Sequence, residues 1–361
     1  MNRAGLQSRI ALGLSPTPRP GLILLPVGMA LGPAGLNVLS DTVLSYLDPV
    51  VAIALAALGV FAGLDLNFRR VRETALFAAA TVEAGLTMVA VGAGLWLIRS
   101  RLDLSAFSLW QVLTMFAVAA AVSSTASGDQ VDRPSSFAAR VGDLDDVVPI
   151  FLSGLLLAWL HQGFSRDALS LVSQTTLIAL IIAAAGWLLV GQVLPEGEQQ
   201  VFVAGTLLLL GGAAAFLSMS SLWVGLVAGL FWGVAGGSAR DSIERDMRYL
   251  QRPLIVLLLL VTGARLELSL PALGVGVVYV LFRSFGKLAG GWAAGRIILP
   301  ELPRDVGRRL LAPGVLAVAS AVNVLQATGT SNTTTLLLAV TVIGSLGSEL
   351  LAVMVQRQRE S

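Results

Sequence analysis

The sequence predicts an all-α polytopic membrane protein of about twelve transmembrane helices, built as two inverted-topology repeats of five helices with two broken, crossing helices. Three observations predict it. Of 361 residues, 55% are hydrophobic and only 13% charged, with a mean hydropathy of +0.81, too apolar for a soluble chain of this size. Apolar runs of about 17–25 residues recur from end to end, separated by short polar joints. Glycine-rich stretches recur in the two halves of the chain at positions that reverse their membrane orientation.

The spans read at residues 20–38, 45–66, 73–98, 107–127, 141–161, 168–194, 199–216, 221–237, 252–268, 271–298, 307–326 and 333–355. An even number of spans puts both termini on one face. Taking that face as cytoplasmic places most of the 24 basic residues inside, among them Arg69, Arg70, Arg72, Arg245, Arg248, Arg308 and Arg309. Only Arg99, Arg101, Arg166 and Arg265 fall outside, while Arg283 and Lys287 lie within the tenth span. This asymmetry obeys the positive-inside rule, because basic side chains resist translocation. Arg3 and Arg9 precede no convincing apolar core with a small-residue cleavage site, so the first span is expected to stay in the chain.

The chain has no cysteine and one histidine, His161, which excludes disulfides and thiolate metal sites and leaves little for zinc or haem. A net charge of +2 and a pI near 9.5 do not point to nucleic acid, because the arginines sit at the ends of apolar spans rather than in one patch. The lipid bilayer is the expected partner.

The repeat shows in the second span, which ends Phe61-Ala-Gly-Leu-Asp-Leu-Asn67, and in the ninth, which ends Val261-Thr-Gly-Ala-Arg-Leu-Glu-Leu268. Each has a glycine followed by an acidic-leucine pair. The spans before them, Leu25-Pro-Val-Gly-Met-Ala-Leu-Gly-Pro-Ala-Gly35 and Gly225-Leu-Val-Ala-Gly-Leu-Phe-Trp-Gly-Val-Ala-Gly236, are both glycine-rich. Spans one to five then correspond to spans eight to twelve, and an offset of seven inverts the topology, an architecture of many secondary transporters. Helix-packing demand alone also makes small-residue spans look alike. On the repeat reading the chain is one transport domain, with repeat one at about 20–161, connecting helices at 168–216 and repeat two at 221–355.

The ionisable residues inside this apolar frame are the anomaly. A charge at the bilayer centre costs roughly 2.5–3.5 kcal/mol on insertion scales, so such groups face a partner or a watery cavity. Asp145 and Asp146 stand side by side at the head of the fifth span, with Asp143 just before them, and suggest a cation site. The fourth span breaks into Ser123-Ser-Thr-Ala-Ser-Gly-Asp129, and its counterpart, the eleventh, is interrupted by Ala312-Pro-Gly314 and carries Ser320 and Asn323. Interrupted helices in corresponding positions free backbone groups to bind ions, although Ser123 to Gly128 also reads as a loop end. Gly128 and Gly314 are expected where the backbone leaves helical geometry, since glycine tolerates positive φ.

Lys287 is the only lysine in the chain. Buried lysine can lose its proton where arginine holds its own, which points to a titratable role; snorkelling to the interface is the alternative, and it suits Arg283 better. Glu83 lies mid-span, and Glu349 lies near the inner end of the twelfth span. For both, a helix-to-helix hydrogen bond or an arginine partner is as good a reading as transport.

These residues carry a resemblance. The order of a glycine-proline turn in the first span, Gly63-Leu-Asp-Leu-Asn at the second exit, a broken fourth span, Asp145-Asp146, Lys287 and Gly347-Ser-Glu-Leu resembles the monovalent cation/proton antiporters. It is most similar to the bacterial sodium/proton antiporter type with an aspartate pair. The resemblance implies that Asp146 alternately holds cation and proton, that Asp145 shares this site and pairs with Lys287, and that Ser124 and Thr125 lend oxygens at the helix break. On this reading Asp146 and Asp145 are the metal ligands, with Glu83, Arg283 and Glu349 as accessory groups. It further implies electrogenic exchange of Na⁺ or Li⁺ for H⁺ by alternating access, no cofactor beyond the transported ions, a homodimer, no enzymatic activity, and a multi-pass place in a bacterial inner membrane with both termini cytoplasmic. K⁺/H⁺ exchange or a sodium-coupled symporter of the same fold is the alternative, and a non-transporting membrane sensor or scaffold the rival of another class. Ala126 and Ser127 depart from the acidic residue or proline common after the threonine, and the interval from Thr125 to Asp145 is shorter than in the family.

Overall fold

The computed structural model describes residues 20–66, 71–102, 104–123, 140–142, 144–163, 165–192, 196–303 and 305–360. Among them are thirteen α-helices and no strand. In chain order they are α1 (Pro20–Leu31), α2 (Asp41–Asp65), α3 (Val71–Leu97), α4 (Leu109–Ala121), α5 (Val147–Gln162), α6 (Arg166–Val190), α7 (Glu196–Phe216), α8 (Ser221–Ala235), α9 (Gly237–Ala264), α10 (Leu270–Ala293), α11 (Val306–Arg309), α12 (Val315–Thr328) and α13 (Asn332–Glu360). The first ten follow the first ten predicted spans in order, with some ends shifted. Helices α11 and α12 together make the eleventh, and α13 the twelfth. Seven of them (α2, α3, α6, α7, α9, α10 and α13) contain stretches long and apolar enough to cross a membrane, and the chain is a multi-pass membrane protein.

Local sequence sets the helix ends. Ser108, Ser165, Ser220 and Ser269 each accept a hydrogen bond from the backbone N–H three residues on, opening α4, α6, α8 and α10. Each cap satisfies an N–H that the first turn leaves without a partner, and at Ser220, 0% exposed, no water could take its place. Helices α5, α8 and α12 end on Gly163, Gly236 and Gly329, whose φ of 64°, 65° and 79° suits glycine.

Two spans differ from expectation. The first ends at Leu31 and turns through Gly32–Leu36, with Asn37 at a φ of 54°. The ninth starts at Gly237 rather than near residue 252, because its polar first turns are amphipathic: Ala239, Ile243 and Met247 recur every four residues and are buried.

The helices form two bodies. In the first, the scaffold, α8 packs along α2 and α1 along α9, with α6 and α7 against α2 and α8. In the second, the bundle, α3 packs on α10 and α4, α12 on α13, α13 on α10, and α5 on α4. The scaffold seams rest on glycine. A methyl group on Gly28 would collide with the Leu260 carbonyl and one on Gly263 with the Leu25 carbonyl. In the other half, a methyl on Gly225 would collide with the Ala56 carbonyl and one on Gly59 with the Leu222 carbonyl. The α1–α9 and α8–α2 pairs are therefore equivalent under the repeat. Their ends agree as well: Leu66 N–H donates to the Gly63 carbonyl at 3.3 Å and Leu266 N–H to the Gly263 carbonyl at 3.1 Å. The repeat and the demand for close packing are thus the same feature, small-residue seams placed twice.

Substituting Gly225 with Leu should separate α8 from α2, at a cost of about 1–3 kcal/mol or more from overpacking. The expected outcome is a clear fall in the melting temperature of the detergent-solubilised protein. Gly274→Ala, where a methyl meets no atom within 4 Å, should leave it unchanged or raise it slightly.

Candidate functional site

Helix α4 stops at Ala121, and Val122 turns extended with φ −64° and ψ 135°. The predicted continuation to residue 127 is absent from α4, since Ser123 is already non-helical. Ser124, Thr125 and Gly128 lie outside the described residues. On the other side of the site, α11 ends at Arg309 and α12 begins at Val315, with Gly314 at its N-cap. The two interruptions touch: a methyl on Gly314 would stand 3.1 Å from the Ser123 carbonyl oxygen and 3.4 Å from Val122 Cγ1. Gly314 does leave helical geometry, but its φ is −81°, so this crossing uses glycine for close approach and not for positive φ as the sequence reading expected.

Two broken helices expose carbonyls that need donors. Arg283 supplies three, donating from Nε to Ala120 O at 3.0 Å, from Nη2 to Val122 O at 2.8 Å and from Nη1 to Leu311 O at 2.6 Å. Arg283 is fully buried, which corrects the snorkelling reading. One turn further along α10, on the same face, Lys287 donates to the remaining carbonyl, Ala121 O.

Lys287 also reaches two carboxylates. Its Nζ lies 3.0 Å from Glu83 Oε2 and 3.0 Å from Asp145 Oδ2. With Ala121 O these fill the three donors of an ammonium, and all three side chains are 0% exposed. Glu83 is brought there by the tight α3–α10 seam, where a methyl on Gly290 would come within 2.8 Å of the Glu83 carbonyl. Its other oxygen accepts a hydrogen bond from Thr87 at 3.3 Å. Asp145 Oδ2 further accepts a hydrogen bond from Ser123, whereas Oδ1 has no hydrogen-bond partner among the described residues.

Asp146 occupies the N-cap of α5, partly exposed, and its side chain does not cap the helix. An N-cap carboxylate takes the N–H at N2 or N3 from an extended backbone, whereas Asp146 has a helical backbone, φ −69° and ψ −28°, and Pro149 at N3 has no N–H to give. The carboxylate stays at the positive end of the α5 dipole, where negative charge is favoured.

The structure therefore brings together Asp145, Lys287, Glu83 and Arg283, from segments far apart in sequence, with Asp146 next along the chain. Glu349 is buried on α13 and is not among the hydrogen-bond partners of Arg283 or Lys287. His161 sits at the end of α5, its ring within 2.8 Å of Leu157 O and 3.2 Å of Ala327 O. Sequence reasoning did not single out Ser123, while Ser124 and Thr125, the oxygens it named, lie outside the described residues; it also missed Glu83 as a lysine partner. The only signal for the latter was Gly286 and Gly290, which flank Lys287 on the α10 face toward α3.

Arg283→Gln would strand buried carbonyls at both breaks. Loss of one partner of a buried charged network costs about 3–5 kcal/mol, so a large fall in melting temperature is expected. Arg283→Lys should recover only part, because one ammonium cannot match a planar fork that spans Ala120, Val122 and Leu311.

No protein-family model and no curated protein matches this sequence. Solved structures do, in 44 chains. One is the sodium proton antiporter MjNhaP1 from Methanocaldococcus jannaschii at pH 8, with a TM-score of 0.69 and 15% identity over 97% of this chain and 94% of that one. Along nearly its whole length, then, this chain has the fold of a solved sodium proton antiporter.

Proposed function

We propose that this protein is a secondary antiporter that exchanges Na⁺ or Li⁺ for H⁺ across a bacterial inner membrane, with both termini cytoplasmic and as a homodimer. The observation that carries the reading is Asp145, bonded to Ser123 at the contact between two broken helices and to Lys287, with Asp146 beside it in the chain. The fold shared with a sodium proton antiporter supports it. The excess of basic residues on the terminal face supports the orientation.

The coupling follows from competition. Asp146 holds one proton or one monovalent cation, but not both, and this competition couples the two fluxes. Rocking of the bundle against the scaffold then presents the site to each face in turn.

Glu83 bears on stoichiometry. The sequence reading gave Lys287 a titratable role, and the resemblance implied electrogenic exchange. Lys287 has another carboxylate at the same distance, 3.0 Å, so losing Asp145 still leaves the ammonium a full counter-charge in Glu83. We therefore favour one proton per cation, with no net charge moved.

Asp146→Asn should abolish sodium-evoked proton movement in proteoliposomes while the protein still folds and melts cooperatively. Wild-type flux in this variant would sink the assignment. In the unmodified protein, preference for potassium would select K⁺/H⁺ exchange, and silence from folded protein would favour a sensor or scaffold.

Glu83→Gln leaves Lys287 dependent on Asp145 alone. Sodium-evoked current on a supported membrane should be absent in the wild type and appear in this variant. Current in the wild type would show that Glu83 does not hold the lysine charged.

A further inference from the structure

The bundle and the scaffold meet, on the face opposite the termini, across an interface that carries a further cluster of buried polar side chains, apart from the charged site. Ser153 on α5, Ser220 at the head of α8 and Asn323 on α12 are 0%, 0% and 1% exposed. Asn323 Nδ2 donates to Ser220 Oγ at 2.9 Å, and the Ser153 and Ser220 hydroxyls lie 3.5 Å apart. Ser153 is seven residues beyond Asp146 along α5, about 10 Å at 1.5 Å per residue, in the direction away from the terminal face. One turn above Asn323, Gln326 Nε2 donates across the same seam to Asp48 O at 3.0 Å and lies 3.4 Å from Asp48 Oδ1. Arg265, at the end of α9, holds the same carboxylate at 2.6 Å and the Leu44 carbonyl at 2.8 Å. Asp48 is 44% exposed, so this group lies at the surface while the serines and the asparagine lie beneath it.

Ser220 also caps α8 and Ser153 also donates to the Ile150 carbonyl at 2.8 Å, so these hydroxyls are held by their own helices, and with Asn323 they put three polar side chains together where the two bodies meet. Close beside them Trp223 of α8 fills the space over Gly154 of α5, its ring 4.9 Å from that of Phe151. The scaffold seams are locked by glycine, so relative movement is concentrated at this interface, where side-chain hydrogen bonds and side-chain packing such as Trp223 on Gly154 are what must be exchanged.

We propose that Ser153, Ser220 and Asn323 line the route by which a small cation passes between the aspartate pair and the far face, and that Gln326, bonded to the Arg265-anchored Asp48, is the latch that closes the mouth of that route in this structure. The proposal rests on the transport reading for what passes, but not for whether the route opens. Without Gln326 the scaffold pair Asp48–Arg265 stays intact, while the bundle loses its bond to it.

The absence of cysteine from the chain makes a background-free test possible. Ser153→Cys and, separately, Asn323→Cys are introduced, and a membrane-impermeant methanethiosulfonate is added to the far face of the protein in membranes. Leu155→Cys, on the lipid side of α5, serves as control. Slow labelling of both reporters is expected, accelerated about tenfold by Gln326→Ala, the change expected from losing one to two hydrogen bonds that favour the closed state, with the control unchanged. Rates that Gln326→Ala leaves unchanged at both reporters would overturn the latch, and equal acceleration at Leu155→Cys would show general loosening and overturn it too. Labelling needs no transport. Accelerated labelling in a protein that exchanges no cation would retain the route and defeat the transport reading, whereas active exchange with unchanged labelling would defeat the route alone.

Discussion

A helix interrupted inside a bilayer leaves carbonyls that water cannot reach, and the centre of this molecule is organised around satisfying those of α4. Four carbonyls, from Ala120, Ala121, Val122 and Leu311, take their hydrogens from two side chains one turn apart on α10. Each unsatisfied group in hydrocarbon costs several kcal/mol, so the break persists only with Arg283 and Lys287 in place. The two cations in turn require carboxylates nearby, which brings Glu83 and Asp145 into the same few ångströms. The site is thus a consequence of the break.

Arginine and lysine divide this task by their chemistry. A planar fork suits Arg283, which reaches carbonyls of two segments at once and bonds no carboxylate. Lys287 is a point charge with three donors, shared among one carbonyl and two carboxylates. Arg283 therefore fixes the crossing, while Lys287 can exchange one anionic partner without leaving its place.

Much of the architecture was legible in the sequence because hydropathy in a bilayer is nearly a topology. The ninth helix was misjudged by fifteen residues at its start, since the polar turns from Gly237 onward contribute amphipathic packing and not apolar length. The site was legible in parts. Asp145 and Lys287 could be singled out as charges in apolar spans, and the resemblance placed them together. Glu83 could not be assigned to the lysine, because its position depends on how closely α3 approaches α10, a tertiary distance whose one sequence trace is the pair Gly286 and Gly290. Ser123 was not singled out, because which hydroxyl meets Asp145 depends on where the helix stops, and that is set at a distance by Arg283 on the Ala120 and Val122 carbonyls. Gly314 was chosen correctly for the wrong property: its hydrogen side chain admits the Ser123 backbone, with φ in the ordinary range.

The two classes of interface in this fold also divide the work between them. Glycine seams join α1 to α9 and α2 to α8 at backbone contact, and any sliding there would drive carbonyls into Cα atoms. The bundle instead meets the scaffold through side chains: Gln326 on Asp48, Asn323 on Ser220, and at the other end Arg140 Nη2 on the Asp65 carbonyl at 2.6 Å. Side-chain hydrogen bonds can be traded for others at a net cost of about 0.5–1.5 kcal/mol each, whereas interlocked backbones have no second arrangement of similar energy. Arg140 lies five residues before Asp145, so the contact that ties the bundle to the scaffold near the terminal face is on the segment that carries the aspartates. Any movement of the bundle that breaks one end of this interface while keeping the other must therefore tilt the carboxylate pair, and the crossing pinned by Arg283 is the natural pivot.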